Sequence, residues 1–270
     1  MCPRLLEIGP FTVYSYGLML ATGFIVASYL LTLEFKRKRL DASLANNVTL
    51  IALVGGIVGS KLLYLIEHWS AFVADPWGMA FSPGGLTFYG GFLLAATLIY
   101  FYARTKGISF FSIADSVAPG LILAYGIGRL GCHFAGDGDY GFPTDLPWGT
   151  DYSKGTYPPS LAFKNVPEIA DKYPGGIPDN ILCHPTPVYE FLMCLIIFAI
   201  LWRLRTRITQ TGKLFMLYLV LAAVERFSIE FLRLNPRIAF GLSEAQWISV
   251  GLFIIGLIGW RYLSKAPQQP

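Results

Sequence analysis

Seven stretches of this chain carry few charged side chains over about 20 residues each, the length an α-helix needs to cross the hydrocarbon core of a bilayer. They run over 11–33, 47–66, 86–104, 112–131, 187–204, 213–233 and 245–263. Short polar connections separate most of them, and one long segment, 132–186, is rich in Gly, Pro, Asp and Tyr. The pattern predicts an all-α polytopic membrane protein with seven transmembrane helices, a single membrane domain over 1–270. The 132–186 segment reads as a small irregular cap, broken by turns at Gly141-Phe142-Pro143 and Pro174-Gly175-Gly176. Met1-Cys2-Pro3-Arg4 lacks the basic opening of a cleaved leader, so the first span is expected to stay. No internal repeat of the inverted-transporter kind is visible.

Basic residues give the chain a direction. Lys36-Arg37-Lys38-Arg39, then Arg104 and Lys106, then Arg203, Arg205, Arg207 and Lys213, then Arg261 and Lys265 occupy alternate connections. Residues 67–85 contain no Lys or Arg, and 132–186 holds only Lys154, Lys164 and Lys172. Because short cytoplasmic loops are enriched in Lys and Arg, the N-terminus is expected outside, on the periplasmic side, and the C-terminus in the cytoplasm. More than half of the 21 basic residues thus lie on the inner side, so the net charge of +4 is a topology signal and no nucleic-acid partner is expected.

Composition agrees. Hydrophobic residues make up 54%, charged residues only 14%, and the mean hydropathy is +0.52. Soluble domains carry about 25% charged residues, so disorder, a secreted disulfide scaffold and a typical cytosolic enzyme are excluded.

Charges inside the spans are the candidate chemistry, since each costs about 2.5–3.5 kcal/mol at a helix centre. Lys61 falls late in the second span and Arg129 near the outer end of the fourth; Arg226, Glu230 and Arg233 share one face of the sixth. Glu230 can bridge the two arginines beside it. Arg233, near the outer interface, suits an ordinary ion pair, whereas Arg129 with Arg226 leaves positive charge in excess, which suits a lipid phosphate. Glycines flank these positions: Gly55, Gly56 and Gly59 before Lys61, Gly84, Gly85, Gly90 and Gly91 around Tyr89, and Gly126, Gly128 and Gly131 around Arg129. They serve either close helix packing or backbone approach to a ligand. The run Gly128-Arg129-Leu130-Gly131-Cys132-His133-Phe134-Ala135-Gly136-Asp137-Gly138-Asp139 lacks the register of a calcium loop. A second polar island, Cys183-His184-Pro185-Thr186-Pro187-Val188-Tyr189-Glu190, opens the fifth span.

With these motifs in this order, the sequence resembles the prolipoprotein diacylglyceryl transferases, seven-span enzymes of the bacterial inner membrane. The likeness covers nearly the whole chain. It runs through Tyr16-Gly17, the glycine-rich second span, Gly84-Gly85-Leu86-Thr87-Phe88-Tyr89-Gly90-Gly91, Gly128-Arg129-Leu130-Gly131, His184-Pro185-Thr186-Pro187-Val188-Tyr189-Glu190, and Arg226-Phe227-Ser228-Ile229-Glu230-Phe231-Leu232-Arg233. The resemblance implies transfer of the sn-1,2-diacylglyceryl group of phosphatidylglycerol to the lipobox cysteine of a prolipoprotein, with release of glycerol phosphate. It implies Arg129, Arg226, Glu230, Tyr89 and Asp137 as catalytic residues, and Arg129, Arg226, Tyr16, Lys61, Gly90, Gly91 and Arg233 as the phosphatidylglycerol site. His133, His184 and Glu190 are further candidates. No cofactor or metal is expected. The family pattern has His where Tyr89 stands, Asn at Cys132 and Glu at Asp137, so thiol activation would be rebuilt around Asp137, His133 or Tyr89.

Cys132 and Cys183 bracket the cap on the oxidising side and can close a disulfide across about 50 residues. A zinc site using His133 and His184 as well is awkward, because adjacent side chains diverge. Two other function classes stand beside the enzyme: a related membrane protein that binds lipid without catalysis or has a changed acceptor, and a transporter lined by the buried charges.

Overall fold

A computed structural model describes residues 1–9, 11–82, 84–85 and 87–265. Pro83 and Leu86, which belong to the glycine-rich approach to the third expected span, lie outside the described residues. The chain forms two compact units, one from Met1–Ala27 with Val117–Pro270, the other from Ser28–Ser116.

The N-terminus opens with a hairpin, β1 (Arg4–Ile8) and β2 (Phe11–Tyr14), turning at Gly9 with a positive φ of 58°. The first helix, α1, therefore covers Ser15–Arg37. Residues 11–14, expected to begin the span, are strand instead, because the alternating Phe11-Thr12-Val13-Tyr14 finds a partner in β1. Then come α2 (Ser43–Glu67), two short helices α3 (Trp69–Ala74) and α4 (Pro76–Phe81), α5 (Phe88–Thr105) and α6 (Phe110–Ala135). The cap region holds β3 (Thr150–Asp151), α7 (Pro159–Ala162), α8 (Pro167–Ala170) and β4 (Leu182–Cys183). The chain ends with α9 (Thr186–Leu204), α10 (Lys213–Ile229), a 3-10 turn at Glu230–Leu232, the hairpin β5 (Arg237–Ala239) and β6 (Leu242–Ser243), and α11 (Glu244–Lys265).

Long helices thus occupy all seven expected places. Five of them, α1, α2, α6, α9 and α11, are long and apolar enough to cross a membrane. The remaining two are shorter, with 18 residues in α5 and 17 in α10. The helix of the sixth place stops at Ile229 rather than 233, where the chain tightens and turns into the β5–β6 hairpin. Exposed apolar side chains line the helices along their length, including Ile25, Ile66, Leu93, Ile196 and Ile258. Such a surface suits lipid and not water.

Each unit packs in its own way. In the smaller unit α2 lies against α5 through glycines: a Cβ at Gly59 would sit 2.3 Å from the Gly90 carbonyl oxygen, and one at Gly91 would sit 2.4 Å from Ser60 Oγ. Small residues let the backbones touch, the packing mode open to helices that gain nothing hydrophobic by associating in lipid. In the larger unit Ile122, Cys194, Ile197, Leu201 and Leu214 join α6, α9 and α10 in a buried cluster. The cap has an aromatic core of its own, Tyr140, Tyr152 and Phe163 with Ile169 and Cys183.

Candidate active site

Arg129 lies on α6 two turns before its end. After Ala135 the chain reverses through Gly136 and Gly138, both with positive φ (58° and 90°), so that Asp139 returns beside Arg129. Next, Gly141 pairs with Arg233; a Cβ at Gly141 would lie 2.4 Å from the Leu232 carbonyl oxygen, so only glycine allows this approach. Local backbone geometry therefore delivers Asp139 and Arg233 to the same place.

The result is a closed ring of four charges. Arg129 Nη1 bonds Asp139 Oδ2, and Arg129 Nη2 bonds Glu190 Oε1 at 2.8 Å. Arg233 Nη2 bonds Asp139 Oδ1 at 2.5 Å, and Arg233 Nη1 bonds the same Glu190 oxygen at 3.1 Å. Tyr125 donates to the other Glu190 oxygen at 2.7 Å, and Thr186 Oγ1 donates to the Asp139 carbonyl at 2.7 Å. Glu190 is fully buried and Arg233 is 8% exposed. Burial alone would raise the Asp139 carboxyl, but the Arg129 and Arg233 charges outweigh it and hold it far below the usual carboxylate range.

A second carboxylate links the ring to Arg226. Glu230, fully buried, places Oε2 3.0 Å from Arg226 Nη2 and 3.7 Å from Arg233 Nε. Its Oε1 accepts from Asn235 Nδ2 and Ser243 Oγ, each at 2.7 Å. Glu230 does sit between the two arginines. The expected surplus of positive charge, however, is absent: Asp139, Glu190 and Glu230 match Arg129, Arg226 and Arg233 one for one, because Asp139 and Glu190 come in from the cap and α9. Glu225, buried one residue before Arg226, adds a further carboxyl. Arg233 forms ion pairs, as expected, and is a full member of the ring. Of the three guanidinium groups, Arg226 alone is appreciably open, at 28% of its side chain.

Around this core lie other expected residues. Asp137 sits in the turn beyond α6, where burial and then the Asp139 charge raise its carboxyl above the usual range. Its carboxylate, the Cys132 thiol and Asp139 bring their potential ligand atoms within 4.8 Å of one another. Asp139 already gives both oxygens to arginines, so the trio is a poor cradle for a metal. Tyr16, in the first turn of α1, packs on Gly131, whose added Cβ would come 3.3 Å from the Tyr16 Cα.

Several candidates stand elsewhere. His133 Nδ1 pairs with the Tyr152 hydroxyl at 2.9 Å, and His184 Nδ1 approaches the Tyr189 hydroxyl at 3.4 Å, so both histidines tie down the cap. Cys132 and Cys183 are free thiols; no disulfide joins them. Cys132 Sγ accepts from Arg129 Nη1 at 3.6 Å, whereas Cys183 is buried in the aromatic core of the cap. In the smaller unit, Lys61 Nζ donates to Ser82 O, Ser82 Oγ and Gly84 O at 2.8–2.9 Å. An ammonium has three protons, so Lys61 straps the loop before α5. Gly90 and Gly91 form the α2–α5 contact, which accounts for them by packing. Tyr89 is half-exposed in the first turn of α5.

Sequence reasoning passed over Asp139, Tyr125, Asn235 and Ser243. Asp139 was visible only as the second Asp of an Asp-Gly-Asp run. Ser243 did carry a signal, because Ser-x-x-Gln ahead of an apolar run marks a helix start.

Comparison with known proteins gives a consistent answer. Residues 3–262 match the family model described as prolipoprotein diacylglyceryl transferase. The phosphatidylglycerol–prolipoprotein diacylglyceryl transferase of Clostridium tetani is 32% identical over 259 residues, 95% of this chain and 96% of that protein. The enzyme of the same name from Trichormus variabilis is 31% identical, covering 98% and 91%. That from Bifidobacterium adolescentis is also 31% identical, covering 96% and 77%.

Proposed function

The chain belongs to the prolipoprotein diacylglyceryl transferase family, and on that premise we propose that it moves the diacylglyceryl group of phosphatidylglycerol onto the lipobox cysteine of a prolipoprotein. In this reaction the bond between the diacylglyceryl carbon and the phosphate oxygen breaks. A carbon–sulfur bond forms, the thiol gives up its proton, and glycerol phosphate leaves with the bonding electrons. The observation that carries the reading is the partly open Arg226 guanidinium, paired with a buried carboxylate at 3.0 Å. A guanidinium so placed neutralises charge as it builds on a departing phosphate, and preorganised donors are each worth about 10²–10³ in rate.

Roles follow from partners. Arg226 contacts the lipid phosphate and Glu230 sets its direction. Arg129 and Arg233 spend both Nη groups on Asp139 and Glu190, so they form the frame that holds the cap loop and helices in place and supply a fixed field. The thiol needs a base. Asp137, raised by burial, takes protons better than an ordinary carboxylate, and Tyr89 is the other candidate. The larger architecture goes with these roles: seven crossings, the N-terminus outside, the C-terminus in the cytoplasm, 132–186 as an outer cap, and a home in the inner membrane with the site facing the periplasm. The bilayer supplies phosphatidylglycerol, and the signal-peptide region of the prolipoprotein supplies the acceptor.

Reconstitution in phosphatidylglycerol vesicles with a synthetic lipobox peptide tests the proposal. The peptide should gain the mass of a diacylglyceryl thioether, and Arg226→Ala should abolish the gain. Transfer at the parent rate by that variant, or no modified peptide from the parent protein, overturns it.

A further inference from the structure

The first turn of α11 is closed by a reciprocal pair. Ser243 Oγ accepts from the Gln246 backbone N–H at 3.3 Å, and Gln246 Oε1 accepts from the Ser243 N–H at 3.0 Å. This is the capping box that Ser-x-x-Gln builds at a helix start. A cap uses only a lone pair of the hydroxyl, which leaves its proton to spend. Ser243 is 1% exposed, and that proton goes to Glu230 Oε1 at 2.7 Å.

Gln246 is fixed just as firmly. It is fully buried, its Nε2 donates to the Phe227 carbonyl at 3.3 Å, and its Oε1 also accepts from Arg237 Nη1 at 2.7 Å. Phe227 is the residue after Arg226 on α10, so the cap of one helix is tied to the backbone beside the guanidinium-bearing residue of another. Arg237 Nη2 reaches the Glu230 carbonyl at 3.2 Å, and Asn235 adds a second donor to Oε1. With Oε1 held by two donors, Oε2 is the oxygen left to face Arg226.

We propose that Ser243 and Gln246 are positioning residues for the transfer reaction: the cap of α11 locks the Glu230 carboxylate in the orientation that aims the Arg226 guanidinium at the lipid phosphate. The inference rests on the reading of Arg226 as the phosphate contact. A guanidinium–phosphate pair depends on alignment as well as charge, so loosening the carboxylate behind it costs turnover without removing any group that touches substrate.

The test uses the full chain in phosphatidylglycerol vesicles and separates capping from aiming. Glycine is nearly as good a helix cap as serine, whereas alanine is a poor one, and neither has a proton for Glu230. A purely structural Ser243 predicts that Ser243→Gly behaves as the parent and only Ser243→Ala suffers. A positioning role predicts that both lose about tenfold in kcat/KM for phosphatidylglycerol, with the KM for the acceptor peptide unchanged. Ser243→Thr, which keeps the hydroxyl, restores the rate. Asn235→Ala removes the other Oε1 donor without touching the cap and should move kcat/KM in the same direction. If Arg226→Ala is inactive while Ser243→Gly and Asn235→Ala both match the parent, the positioning role is overturned. If Arg226→Ala itself keeps the parent rate, the functional reading fails instead.

Discussion

Arg129 and Arg233 share one oxygen atom: Glu190 Oε1 receives Nη2 of the first at 2.8 Å and Nη1 of the second at 3.1 Å. Asp139 joins the same two side chains from the other side. Two like charges are thus held close together by two opposite ones, and removing any member strands a charge that burial has cut off from water.

Arg233→Ala should therefore act on stability first. Breaking a buried ion pair by deleting one partner costs about 3–5 kcal/mol, so the detergent-solubilised variant should unfold many degrees earlier and yield little protein. Arg233→Lys should rescue it poorly, since an ammonium cannot serve two carboxylates in a planar fork. Thermal unfolding followed by tryptophan fluorescence checks both; a parent-like melting temperature for Arg233→Ala would contradict the ring.

Asp137→Asn should separate stability from activity. Because the folded state raises this carboxyl, its contribution favours folding at low pH and is lost as the pH rises through the folded value. At pH 7.5 the asparagine variant should be at least as stable as the parent, and its advantage should vanish as the pH falls to the ordinary carboxylate range near about 4. Transfer should drop by about 100-fold if this carboxylate takes the thiol proton. Melting curves at several pH values beside the peptide assay report both quantities.

Lys61→Met should leave lipid affinity alone. All three ammonium protons serve Ser82 and Gly84, so the loss falls on the loop that leads into α5. Unpairing such groups costs about 1–3 kcal/mol. Limited proteolysis should reveal faster cleavage around residues 82–85, with the KM for phosphatidylglycerol within twofold of the parent. A large rise in that KM would restore Lys61 to the lipid site.

All four cysteines should react with a maleimide in denaturant without any reductant. Cys132 and Cys183 are free thiols in different surroundings, one beside Arg129 and one in the cap core. A mass that shows two thiols protected would put the disulfide back.

Much of this was legible in the sequence, and the part that was not has a physical cause. Helix positions follow from runs of apolar residues, which depend on local composition alone, so seven helices stand where the pattern predicts. Arg129, Arg226, Glu230 and Arg233 stood out because charge in an apolar run is costly. Asp139 did not, because it lies in a polar loop where an aspartate is unremarkable. Glu190 stood only among the further candidates, because an acid near a helix start is ordinary. That they neutralise the arginines depends on a chain reversal at Gly136 and Gly138 and on the pairing of Gly141 with Arg233. Lys61 stood out for the same reason as the arginines, and the loop that supplies its partners was not legible.

The larger unit is assembled from two separated pieces of chain, Met1–Ala27 and Val117–Pro270, with Ser28–Ser116 between them. A ribosome releases the intervening unit complete before most of its host has been made. Domains tend to fold as they emerge, so the opening hairpin and the start of α1 are made long before the helices that complete their unit. The four-charge ring cannot close until Arg233 is made, and a nascent chain halted before that point would leave two carboxylates, Asp139 and Glu190, sharing the single guanidinium of Arg129, an intermediate open to quality-control proteases.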